Sequence, residues 1–140
     1  MKIGKTLTVI FLVAFFIRLA YVFFVPQLPL LGDAAEYDQL GWDIAQGKGF
    51  PVKGDFLVEP LRAPGYPLMV AFIYKIFGHN LMAVRILQAI INSFLCTFIY
   101  FLSMQLINNY KIAIIASIIS AVYFPFVSYV GLITRESTLT

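Results

Sequence analysis

Apolar residues along this chain fall into long runs, and polar residues fall into one long block and one short turn between them. The first run extends from about Leu7 to Val25, the second from about Leu81 to Ile107 and the third from about Ile112 to Ile133. At about 1.5 Å per helical residue, each is long enough to cross about 30 Å of hydrocarbon. Lys2 and Lys5 precede the first run, and Asn108-Asn109-Tyr110-Lys111 separates the second from the third. A positive start followed by an apolar run also fits a signal peptide. No small-x-small cleavage site follows, however, and the run ends in bulky Tyr-Val-Phe-Phe-Val-Pro, which predicts a retained helix. Arg18 is the one charge inside it. It either snorkels to the far interface or faces protein or a lipid phosphate, because an intramembrane charge is costly unless partnered. Pro125 is expected to kink the third span or to open its last turns.

Residues 26–80 form the polar block. Asp33 to Gln46 predicts a short helix with Tyr37, Leu40, Ile44 and Trp42 on its apolar side, lying flat on the membrane surface. Gly47-Lys-Gly49 stops it. Residues 50–59 show no period and read as loop. Arg62-Ala-Pro-Gly-Tyr-Pro67 fixes the backbone twice through proline. Leu68 to Phe77 is apolar but too short to span, which predicts an interfacial or re-entrant helix leading into a Gly78-His79-Asn80 turn. The fold class is therefore all-α: about three transmembrane spans, with a loop between the first two that contains interfacial helices.

Composition agrees. Hydrophobic residues make up 61% of the 140 and charged residues 12%, against about 45–50% and about 25% in soluble domains. The net charge of +3 is scattered along the chain, so no nucleic-acid partner is expected. Six of the seven carboxylates lie between Gly32 and Pro67, against Lys48, Lys53 and Arg62. Lys2, Lys5 and Lys111 belong to the opposite side. The positive-inside rule then puts the N-terminus in the cytoplasm and loop 26–80 outside the cell membrane. Cys96, the single cysteine, sits in an apolar run and can form neither an intrachain disulfide nor a thiolate metal site. His79 reads as a solvated turn residue. No cofactor or metal is indicated.

Asp33, three residues ahead of Glu36, has two readings. One is a capping box, worth about 1 kcal/mol of helix stability. The other is a general base for an attacking hydroxyl or amine. Arg62 suits bidentate binding of a phosphate, or is a solvated charge beside Glu59. Tyr66 is either a hydrogen-bonding group for substrate or a headgroup anchor. Glu136, beside Arg135, emerges on the same side as Asp33 after three crossings and by default is an interfacial charge pair.

Gly32-Asp33-Ala-Ala-Glu36-Tyr37, Gly47-Lys-Gly49-Phe50, Arg62-Ala-Pro-Gly-Tyr-Pro67, Phe77-Gly78 and Val84-Arg85-Ile-Leu-Gln88, taken in order with Tyr123-Phe-Pro125 and Thr134-Arg135-Glu136, resemble the N-terminal part of bacterial integral-membrane glycosyltransferases of the C-type fold. These are the relatives of protein O-mannosyltransferases and of aminoarabinose transferases. The resemblance implies a polyprenyl-phosphate-linked sugar donor and inverting transfer to a lipid, glycan or protein acceptor on the outer face. It makes Asp33 the catalytic base and Arg62 the phosphate ligand, with Glu36, Tyr66 and Glu136 as further substrate-binding candidates. In many such enzymes a second acid follows the base directly; here Ala34 follows. Such enzymes have more spans, so residues 1–140 are expected to be the N-terminal portion of a transferase domain, a fragment inactive alone. The competing expectation is a small non-catalytic multi-pass accessory protein whose loop binds a partner.

Overall fold

A computed structural model of the chain describes residues 2–25, 30, 32–50 and 64–131. Among these residues every element is helical: α1 Lys2–Phe24, α2 Asp33–Ala45, α3 Gly65–Phe77, α4 Leu81–Ile107, α5 Tyr110–Val122, α6 Phe124–Ser128 and a 3-10 turn Tyr129–Gly131. α1 and α4 are long and apolar enough to cross a membrane. α5 and the α6–turn unit pass the same test together, bent by 51° at their junction.

The turn between the second and third crossings is made by two asparagines. Asn108 ends α4 in the left-handed conformation at φ 49, a region asparagine tolerates better than most residues. Asn109 then opens α5, its side-chain oxygen accepting from the amides of Lys111 and Ile112 at 3.0 and 3.4 Å. Asn80 opens α4 in the same way, through Met82 and Ala83. Such caps satisfy amides that have no acceptor within the helix.

The bundle carries small residues inside and bulky ones outside. Ala14, Ala89, Cys96, Ala113 and Ser117 are fully buried, while Phe16, Phe94, Phe98 and Ile119 are more than half exposed. Where lipid is as apolar as the core, close backbone approach through small residues is what holds helices together. Ser93 and Ser117 return their hydroxyls to the carbonyls of Ala89 and Ala113, at 2.6 and 2.7 Å. Thr6 and Tyr110 meet through their hydroxyls at 3.4 Å, which brings the starts of α1 and α5 to one end. Val22, Ala89 and Val130 pack together at the other, joining the end of α1, the start of α4 and the 3-10 turn. α1, α4 and the bent α5–α6 unit thus run in alternating direction, as two to three candidate membrane spans.

Arg18 faces protein. It is wholly buried, and its guanidinium donates to the carbonyls of Ala14 at 3.1 Å and Ala121 at 3.3 Å, with the Cys96 sulfur at 3.6 Å. Ala121 is the residue whose carbonyl would receive the amide four residues later, and that residue is Pro125, which has no N–H. The proline sits in the first turn of α6, where none is required. Arg18 therefore fills a vacancy created more than a hundred residues downstream.

Candidate functional site

At the end of the bundle where α1 finishes and α4 begins, α2 lies on α3, and α3 leads into α4. Ala34 and Tyr37 of α2 pack against Tyr66, Val70, Ile73 and Tyr74 of α3 and Val84 of α4. Close contact is made at Gly41, where a Cβ would overlap the Val70 side chain. The buried stripe of α2 is thus Ala34, Tyr37 and Gly41. Leu40 and Ile44, expected on the apolar face, are half-buried at its flank. Ala34 and Gly41 allow close approach, and Tyr37 fills the space between them. Gly47 and Gly49, at φ 80 and 75, end α2 where the sequence predicts.

Two expectations need correction. Asp33 is not the cap of α2. Gly32 is, at φ 55, and Asp33 is the first helical residue. Glu36 is then four residues past the cap rather than three, so the capping box does not form. Both acids still lie in the first turn of α2, where carboxylates meet the positive end of the helix dipole, and both are exposed. Second, the proline-rich stretch starts a helix. α3 begins at Gly65 rather than Leu68, with Pro64 as its cap and Pro67 in its first turn, where a missing N–H costs nothing.

Tyr66 is consequently a buried helix residue, 7% exposed, and not a headgroup anchor. Its ring meets Tyr37 edge-on at 5.2 Å, and its hydroxyl accepts from Gln88 at 2.9 Å. One turn before Gln88 stands Arg85, 7% exposed. No ion pair or hydrogen bond involves its guanidinium among the described residues, and its Nε is buried without an acceptor. A cation taken out of water without a carboxylate costs several kcal/mol unless an anion joins it. Arg62 and Glu136 lie outside the described residues.

The structure also assembles a group that sequence reading scattered. Asp38 of α2 receives the Tyr74 hydroxyl of α3, and His79 Nε2 stands 2.9 and 3.0 Å from its two oxygens. Trp42 stacks on the His79 ring at 4.9 Å. Burial, and then the bond to Asp38, push the Tyr74 hydroxyl well above the usual tyrosine range, with the Arg85 guanidinium acting the other way. Tyr74 therefore stays protonated and remains a donor. No third histidine, cysteine, aspartate or glutamate joins the pair among the described residues, and the pair acts as a strut between α2 and the start of α4. The signal for it in sequence was slight: a histidine and an aspartate separated by 41 residues. By contrast Asp43, bonded by Lys48 at 2.9 Å and by Gln39, is an exposed pair at the helix end. Tyr74→Phe should cost about 1.5–3 kcal/mol, the worth of a hydrogen bond to a charged group. In hydrogen exchange, the amides of α2 should open faster while those at the middle of α4 stay unchanged.

Residues 61–140 match the family model described as dolichyl-phosphate-mannose-protein mannosyltransferase. The match begins just ahead of α3 and takes in Arg85 and all that follows, while Asp33 and α2 lie upstream of it. No curated protein and no solved structure matches the chain.

Proposed function

The chain belongs to the dolichyl-phosphate-mannose-protein mannosyltransferase family, and from that premise we propose that its α2–α3 end serves sugar transfer from a polyprenyl-phosphate-linked donor to an acceptor at the outer face of the cell membrane. Family membership makes it a membrane glycosyltransferase with a lipid-linked sugar donor; the residue roles and the orientation are our reading. In that reading Asp33 takes the proton of the acceptor hydroxyl or amine. The acceptor atom attacks the anomeric carbon from the side opposite the phosphate, the carbon–oxygen bond to phosphate breaks, and polyprenyl phosphate leaves with the bonding pair. Arg62 and Arg85 balance the charge that gathers on the departing phosphate. Glu36 and Glu136 contact the sugar or the acceptor, and Tyr66 acts through Gln88 by holding that face of α4 in position. The N-terminus is then cytoplasmic and loop 26–80 external, as the charge distribution favours.

The observation that carries this reading is Arg85. A guanidinium 7% exposed and with no carboxylate against it among the described residues is a poor stabilising device, but a prepared one for a phosphate. The test is a transfer assay in membranes with defined polyprenyl-phosphate sugars. Arg85→Met should raise the donor KM by about 10–100-fold, the worth of charge-assisted hydrogen bonds, and Arg85→Lys should recover part of the loss. An Arg85→Met protein with unchanged donor KM would overturn the assignment.

A further inference from the structure

The end of the bundle away from α2 and α3 carries a second feature. Between α1 and α5 runs an open groove of about 460 Å³, walled by Val9, Val13, Ile114 and Ile118, floored by Ala121, with Lys5 at its mouth. Ala121 is buried, whereas Val9, Val13 and Ile118 are about half exposed, so the walls stand up from a sealed floor. We propose that this groove holds one acyl chain of an anionic phospholipid, with the headgroup phosphate at Lys5, in the leaflet facing away from α2 and α3.

Length, charge and wall chemistry each support that occupant. From Lys5 to Val13 is eight residues, about 12 Å along the helix, close to half of the about 30 Å hydrocarbon thickness. The groove therefore runs from a headgroup level to about the bilayer midplane, the reach of one leaflet. Its mouth is cationic: Lys5 and Lys111 are exposed there, Lys111 following the Tyr110 whose hydroxyl meets Thr6. The carboxylates among the described residues, Asp33, Glu36, Asp38 and Asp43, all belong to α2 at the opposite end. Basic pockets between membrane helices are where anionic headgroups settle. A protein helix is the poorer fit, because it would run the whole span and would need glycine or alanine walls for backbone approach, whereas these walls are valine and isoleucine.

Native mass spectrometry of the full chain, released from detergent with phosphatidylglycerol or phosphatidylcholine of identical acyl chains, tests this. Phosphatidylglycerol should be retained about five-fold over phosphatidylcholine, the effect of one lysine at a charged headgroup. Lys5→Gln should bring that ratio to about one while lipid remains bound. Ile118→Trp, which fills the groove, should reduce retention of both lipids. If that variant loses its helical circular dichroism, Val9→Phe on the opposite wall reads the same quantity. Equal retention of the two lipids by the unaltered chain, undiminished lipid binding in a groove-filled variant that keeps its fold, or a dimer that displaces lipid would each overturn the proposal.

Discussion

Asp33→Asn should lower sugar transfer by about 10²–10⁴-fold, the usual contribution of a positioned general base, and should leave the fold intact. The amide has the shape of the carboxylate but cannot accept the acceptor's proton at neutral pH. Position decides why the two effects separate. Asp33 is the first residue of α2 and exposed, and Gly32, not Asp33, is the cap. A charge lost from the positive end of a helix is worth about 0.3–1 kcal/mol at an exposed site. Glu36→Gln removes an equivalent charge in the same first turn and is the matched control for thermal stability, not for rate, since Glu36 is itself proposed to contact the sugar or the acceptor. Initial rates at saturating donor, with thermal unfolding of each variant, distinguish the cases. Near-normal transfer by Asp33→Asn would reduce Asp33 to a charge at a helix start.

The largest structural effect is expected at Arg18. Arg18→Ala should destabilise the bundle by about 2–4 kcal/mol, because it leaves a hole where the side chain had no exposure and orphans the Ala121 carbonyl. Relief of a desolvated guanidinium offsets part of that loss, and among the described residues no carboxylate is left behind to be stranded. Pro125→Ala supplies the missing amide to Ala121. In the Arg18→Ala background it should restore about 1 kcal/mol, whereas in the parent it should gain less, since Arg18 already serves that carbonyl. Thermal unfolding of the four proteins in detergent measures the coupling. Simple addition of the two effects would mean that Arg18 and Pro125 are unrelated.

Much of the membrane architecture is legible in the sequence, for a physical reason. Runs such as Leu81–Ile107 admit one reading once they are longer than a soluble helix needs, and the Asn108-Asn109 turn states its own geometry. The stop at Gly47 is equally local. The start of α3 was not readable, because Pro64 and Pro67 look the same in a rigid loop as in a helix's first turn. Gly32 took the cap from Asp33 because glycine can enter the backbone conformation required there and the aspartate cannot do so cheaply. Arg18 had two sequence readings, and only the meeting of α1 with the break before Pro125 decides between them. His79 reads as solvated in the sequence, since nothing within ten residues of it or of Asp38 announces the other. Of the candidate site, Asp33, Glu36 and Tyr66 can be located. Arg85 stands in the sequence only as part of a motif, and its burial with no counter-ion among the described residues is what singles it out.

The Asp38–His79 strut has a consequence for how this protein tolerates change. His79 stands one residue before the asparagine that starts α4, so α2 is fastened directly to the membrane helix. Its seat is set by Tyr74, His79 and the Gly41–Val70 contact, not by the number of residues that join α2 to α3. Lengthening that connection changes loop-closure entropy only slowly. Extra residues inserted between α2 and α3 should thus leave α2 seated on α3, with Asp33 still at its start.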